Sequence, residues 1–139
     1  NEPNIAYPYL FSYFKGEEWR TQVLTHQLLQ TYFKNSPEGL PGNDDTGTMS
    51  AWALFSMMGF YPDCPGEPAY TLISPVFDKI TLHLDEKQWG RNKLVIETLR
   101  SNPNAVRIEK IEVGGKPWRQ YRISHNDLVK AGTLKFTLK

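Results

Sequence analysis

The spacing of apolar positions changes character across Tyr61–Pro68, helical before that stretch and strand-like after it. Pro8-Tyr9-Leu10-Phe11-Ser12-Tyr13-Phe14 is a short aromatic-rich segment ended by Gly16. Glu17 and Glu18 follow, where carboxylates favour a helix start against the positive end of the backbone dipole. From Trp19 to Phe33 apolar residues recur at Trp19, Val23, Leu24, Leu28 and Tyr32, mostly at intervals of three or four, which predicts a helix burying that face. Asn35-Ser36-Pro37-Glu38-Gly39 breaks it. Beyond a polar loop from Pro41 to Gly47, a second helix is predicted over Thr48–Met58, with Thr46 or Thr48 as its N-cap and Gly59 as its stop. Met49, Trp52, Ala53, Ser56 and Met57 share one side of it. Ala51, Leu54, Phe55 and Met58 make the other sides small or apolar, so burial around most of the circumference is expected.

Three prolines in Tyr61–Pro68 exclude regular structure there. The alternation that follows predicts strands over Tyr70–Ile73, Ile80–Leu84, Lys93–Leu99, Val106–Val113, Trp118–Ile123 and Thr133–Leu138. Gly114-Gly115 between Val113 and Lys116 reads as a two-residue hairpin turn, and Asn102-Pro103-Asn104 as another turn. His125–Val129 reads as a helical turn before the last strand, and Gln88-Trp89-Gly90-Arg91 as a hairpin tip. Short turns between successive strands imply an antiparallel sheet or sandwich. The fold class is therefore α+β, helices first and strands second, with the division placed at residues 1–62 and 63–139.

Composition narrows the partners. A net charge of +1 over 139 residues gives no electrostatic reason to expect nucleic acid or an anionic membrane surface. No apolar run reaches the roughly 18–20 residues of a membrane span. Cys64 is the single cysteine, so it can form no intrachain disulfide, and it has no neighbour at metal-ligand spacing. The first residue is Asn rather than Met, and the chain reads as part of a longer protein.

The candidate chemistry lies in Gly42-Asn43-Asp44-Asp45-Thr46-Gly47. On spacing alone this is more readily a turn and helix cap, because Asp and Asn bond nearby backbone N–H groups. The functional alternative is that one carboxylate activates water or holds a cation, kept ionised by the helix N-terminus. Adjacent side chains diverge, so only one of the pair is expected to serve a site directly. Asn1-Glu2-Pro3 offers oxygen donors of the kind calcium takes, though as a lone tripeptide it is better read as a loop entry. His26, His83 and His125 show no ligand spacing and are expected to be structural. Trp89 and Trp118 are expected to pack rather than stack on sugars.

Several words line up in order: Asn1-Glu2-Pro3, Pro8-Tyr9-Leu10 with Tyr13, and Trp19-Arg20-Thr21-Gln22. Gly39-Leu40-Pro41-Gly42-Asn43-Asp44-Asp45-Thr46-Gly47-Thr48-Met49-Ser50-Ala51-Trp52 follows, then Gly59-Phe60-Tyr61-Pro62, Cys64-Pro65-Gly66 and Ser74-Pro75-Val76-Phe77. Together they resemble the C-terminal end of a glycoside hydrolase family 92 enzyme, a calcium-dependent exo-acting α-mannosidase. The resemblance covers almost the whole chain and is densest from Gly39 to Phe77.

The resemblance implies that the helices are a remnant of an (α/α)6-barrel catalytic domain. It implies hydrolysis of terminal mannose from glycans, of the α-1,2 type, with inversion. Inversion needs an acid on the leaving oxygen and a carboxylate activating water on the opposite face, roughly 6.5–9.5 Å apart. By position Asp45 is the implied base, with Asp44 supporting it. Asn43 stands where many members carry an acid, and an amide cannot act as a base. Glu2 and Asn1 match the calcium-binding stretch, but Asn4-Ile5-Ala6 replaces the Ser and His that often continue it, which bears on sugar contacts. The general acid is expected upstream, so residues 1–139 alone are expected to be inactive, and their unpaired helix faces to seek the rest of the polypeptide or to self-associate. Secretion or periplasmic residence is implied by the family's substrates. A non-catalytic carbohydrate-binding or structural β module is the alternative. A barrel hydrolase acting on glucosides fits the acidic loop less well.

Overall fold

The aromatic run before Gly16 does not form an α-helix. In the computed structural model, which describes residues 2–139, it winds as a 3-10 helix over Tyr7–Tyr13, with Pro8 in its first turn where a missing N–H costs nothing. A shorter 3-10 turn, Glu2–Asn4, precedes it. These two turns form an arm lying across the helices α1 (Glu18–Tyr32) and α2 (Thr48–Met58).

Helix α1 sits where the periodicity predicts, but its most buried face is rotated from the predicted one. Thr21, Gln22, Thr25 and Leu29 are its buried residues, while Trp19 and Tyr32 are 37% and 55% exposed. Val23, Leu24 and Leu28 are half-buried. The buried stripe is held by hydrogen bonds. Gln22 Oε1 accepts the Ile108 backbone N–H at 2.8 Å, and the Thr25 hydroxyl donates to the Thr21 carbonyl at 2.6 Å. A hydropathy pattern ranks Thr and Gln as outward-facing and cannot register a long-range partner such as the Ile108 N–H. The apolar stripe of α1 is consequently left only partly covered by the rest of this chain, with Leu28 packed beside Leu29 and Trp52.

Helix α2 buries Met49, Trp52, Ala53, Ser56 and Met58, but Leu54 is 53% exposed and Ala51 is exposed, so one side is open. Its N-cap is Gly47, at φ +89°, rather than Thr46 or Thr48. Thr46 itself has positive φ, and Thr48 turns its hydroxyl back to the Asp45 carbonyl at 2.8 Å, so neither can cap.

Strands β1 (Phe60–Tyr61), β2 (Ala69–Leu72), β3 (Lys79–His83), β4 (Lys93–Arg100), β5 (Ile108–Val113), β6 (Lys116–Trp118), β7 (Arg122–Ser124) and β8 (Thr133–Leu138) form two sheets, β1-β2-β7 and β3-β4-β8-β5-β6. The smaller is antiparallel. The larger contains a parallel pair, β4 with β8, so the expectation of a wholly antiparallel arrangement is corrected. The segment expected as one strand over Trp118–Ile123 splits into β6 and β7, which serve different sheets. Two short helices complete the order: α3 (Glu86–Trp89) in the β3–β4 connection and α4 (His125–Ala131) before β8. Gly114 and Gly115 take φ +58° and +75°, the two positive values a tight β5–β6 turn needs, with Val113 opposite Lys116.

Leu94 and Ile96 of β4, Leu134, Phe136 and Leu138 of β8 and Ile108 and Ile111 of β5 project from one face into a common core. Strict alternation would put Ile108 and Ile111 on opposite faces. A register shift between Ile108 and Lys110 restores both to the core side. A second cluster, Tyr9, Leu29, Trp52, Ala53, Tyr61 and Ile73, binds the arm to α2 and the smaller sheet.

Candidate active site

The acidic loop grows from a narrow neck. The Lys34 N–H donates to the Gly39 carbonyl at 2.9 Å, and a Cβ on Gly39 would lie 1.8 Å from the Lys34 carbonyl oxygen, so only glycine closes it. At the far end the chain turns tightly into α2. Thr48 N–H reaches the Asp45 carbonyl at 3.3 Å and Met49 N–H reaches the Asp44 carbonyl at 3.1 Å.

Within that turn the two acids take different conformations and roles. Asp44 accepts the Ser50 backbone N–H at 2.8 Å and the Ser50 hydroxyl at 2.9 Å. It satisfies one of the donors that a helix N-terminus leaves unpaired. Asp45 has φ +50° and Thr46 φ +62°, the two non-glycine positive values among the described residues, with Gly47 next at +89°. Aspartate tolerates this region, whereas a β-branched residue there is an outlier. Such conformations cost about 1–3 kcal/mol each and concentrate where function holds them. Asn43 is exposed, and Asp44 and Asp45 are half-buried.

The arm meets this loop through α2. Trp52 Nε1–H donates to the Ile5 carbonyl at 2.9 Å, and the Tyr9 hydroxyl pairs with Ser56 Oγ at 2.6 Å. Burial holds the Tyr9 phenol protonated far above its ordinary range. Beside these contacts an open cleft of about 270 Å³ is lined by Asn4, Ile5, Pro8, Pro41, Met49 and Trp52 among others.

Asn1 lies outside the described residues, as does the side chain of Glu2. An amide and a carboxylate oxygen are donors that calcium accepts, but it takes about six to eight. Among the described residues no cluster of three or more His, Cys, Asp or Glu side chains could hold a metal.

The histidines fill structural places. His26 Nε2 lies 3.0 Å from Gln30 Nε2, His125 Nδ1 lies 2.7 Å from the Tyr70 hydroxyl, and His83 sits in β3 opposite Lys93. Trp89 leans edge-on against His125 at 4.8 Å, and the Trp118 indole donates to the Arg122 carbonyl at 3.2 Å.

One charged centre escaped the sequence reading. Asp63, in the proline-rich stretch, has a side chain 2% exposed beside Arg122 at 3.3 Å. It also accepts the Tyr13 hydroxyl at 2.6 Å and the Thr71 hydroxyl at 2.9 Å. An acid between prolines carries no periodic signal. The Tyr13 phenol is pushed up first by its hydrogen bond to Asp63 and then by burial.

Comparison with known proteins gives the family of the chain. The sequence pattern of the glycosyl hydrolase family 92 catalytic domain matches residues 1–139. The chain is 29% identical over 139 residues to an uncharacterized secreted glycosidase of Arthroderma benhamiae, covering 99% of this chain and 18% of that protein. A family GH92 α-mannosidase of Bacteroides thetaiotaomicron, solved in complex with mannoimidazole, superposes with a TM-score of 0.88 at 28% identity, over 100% of this chain and 18% of that one. A family GH92 inverting mannosidase of the same organism superposes with a TM-score of 0.86 at 32% identity, over 100% and 18%. The chain thus spans about 18% of the length of these relatives. With its whole length matched, the chain belongs to glycosyl hydrolase family 92 and falls within that family's catalytic domain.

Proposed function

We propose that residues 1–139 supply the base half of an inverting exo-α-mannosidase site, with Asp45 as the general base. The observation that carries this is the division of labour in the acidic loop. Asp44 is committed to Ser50 at the head of α2, while Asp45 stands at the start of a strained run of positive φ. A turn that serves only as a cap has no need of a positive φ at the β-branched Thr46.

In this reading Asp45 removes a proton from water as the water oxygen bonds to C1 of the terminal mannose. The C1–O bond to the leaving sugar breaks on the opposite face, and that oxygen takes its proton from a carboxylic acid outside residues 1–139. The product is β-mannose. Asp44 supports by holding the loop, and Asn43, exposed and unable to take a proton, borders the site. Bound calcium, held in part by Asn1 and Glu2, would supply positive charge to the sugar hydroxyls. The half-buried and exposed apolar stripe of α1, together with Leu54 of α2, would be covered by the rest of an (α/α)6 barrel, and residues 63–139 would form its strand-rich flank. The α-1,2 linkage and an extracytoplasmic location belong to the same reading. The likeness to α-mannosidases supports a mannoside substrate, and the likeness to a secreted glycosidase supports the location.

The test is the anomeric form of the first product. The intact protein containing residues 1–139, given an α-1,2-linked mannobiose and followed by proton NMR, should release β-mannose before mutarotation. Release of α-mannose would contradict inversion, and turnover of α-glucosides in preference to α-mannosides would contradict the substrate.

A further inference from the structure

Trp52 is a direct polar link between the start of the arm, at Ile5, and the helix that follows the Asp45 loop. Its indole is 3% exposed, stacked on Phe33 at 5.4 Å and 14°, with Tyr9 edge-on at 6.3 Å and Tyr61 tilted at 6.4 Å. Stacked on one ring and packed against two more, the buried indole has its N–H direction set by packing. That N–H ends on the Ile5 carbonyl at 2.9 Å. Ile5 follows Glu2 by three positions, and Trp52 lies four residues, about one turn, into the helix whose first residue is Thr48, three positions after Asp45.

We propose that Trp52 is a positioning residue. Through its indole N–H it fixes the arm at the distance from the Asp45 loop at which a sugar held by one meets the water activated by the other. This rests on the reading of Asp45 as base. A second anchor one turn further along α2, Tyr9 on Ser56, holds the distal part of the arm, which leaves Trp52 to set its proximal part. The partly buried Ile5 carbonyl would otherwise lack that donor, and the turn carrying it has little regular structure to resist drifting.

Trp52→Phe keeps the ring stacking and removes the donor. In the intact α-mannosidase containing residues 1–139, amide hydrogen exchange across Ile5–Tyr13 should quicken about tenfold while that across Thr48–Met58 holds within about twofold. On an aryl α-mannoside, kcat should fall about tenfold with KM moving less than about twofold, because the misplacement is felt in the transition state. In an Asp45→Asn background the same substitution should leave the residual rate unchanged, since the group it positions is already lost. Equal losses in both backgrounds, or exchange quickened equally across the arm and α2, would make Trp52 a core residue only and overturn the proposal. Wild-type exchange and kcat would overturn it too. Where the residual rate is too slow to read, the local exchange and the kcat-against-KM split decide. Wild-type turnover by Asp45→Asn alone would instead defeat the reading of Asp45, while exchange still reports whether Trp52 holds the arm.

Discussion

The carboxylate of Asp44 holds Ser50 twice, through the backbone N–H at 2.8 Å and the side-chain hydroxyl at 2.9 Å. Both donors lie in the first turn of α2, so Asp44 belongs to the helix that follows the loop. Asp45, one residue later, belongs to a backbone run at positive φ that regular structure does not use. The two adjacent acids thus differ in backbone conformation, Asp45 being one of two non-glycine residues at positive φ among the described residues.

Asp44→Ala should lower the unfolding free energy by about 1 kcal/mol, the usual loss for an N-terminal helix cap, and Asp44→Asn by less because the amide oxygen still accepts. Urea unfolding followed by far-UV circular dichroism measures this. A wild-type midpoint for Asp44→Ala would show that the Ser50 contacts carry no stability.

Removing the Asp63 carboxylate should cost more. Asp63→Ala strips acceptors from Tyr13, Thr71 and Arg122 at a side chain 2% exposed. The expected loss is about 2 kcal/mol, moderated because Arg122 keeps Glu67 at 2.6 Å and is partly solvated. The same unfolding experiment reads it. A loss no larger than that of Asp44→Ala would mean that this centre contributes little to joining the arm and the smaller sheet.

Alkaline pH should unfold the protein through its tyrosines. Burial raises the phenols of Tyr9, Tyr61, Tyr70 and Tyr121, and the Asp63 hydrogen bond raises Tyr13. A raised folded value means that stability is fully present below the unfolded value of about 10 and declines as pH climbs above it. Phenolate absorbance from these residues should appear together with loss of the circular dichroism signal. Reversible ionisation of Tyr9, Tyr61, Tyr70 and Tyr121 near pH 10 with the fold intact would contradict their burial.

The legible parts of the fold were those set by local chemistry. Gly114-Gly115 announces its turn because both positions need positive φ, and the span of α2 follows from its apolar density and Gly59. The buried face of α1 was illegible because it carries the polar Thr21, Gln22 and Thr25, and the long-range bond from the Ile108 N–H to Gln22 leaves no local sequence signal. The parallel β4–β8 pairing was illegible because it joins strands remote in sequence, and no turn between them records it. In the candidate site, the loop and its acids could be read directly. The Trp52 N–H on Ile5 and the Asp63 centre could not, since each joins segments separated by tens of residues.

The assignment of Asp45 is tested most directly by kcat of the intact enzyme on an α-mannoside after Asp45→Asn, measured beside Asp44→Asn. Loss of a general base should lower kcat for Asp45→Asn by about 10²–10⁴-fold, and the Asp44 variant should lose far less. Wild-type kcat for Asp45→Asn, or a larger loss at Asp44 than at Asp45, would contradict the account.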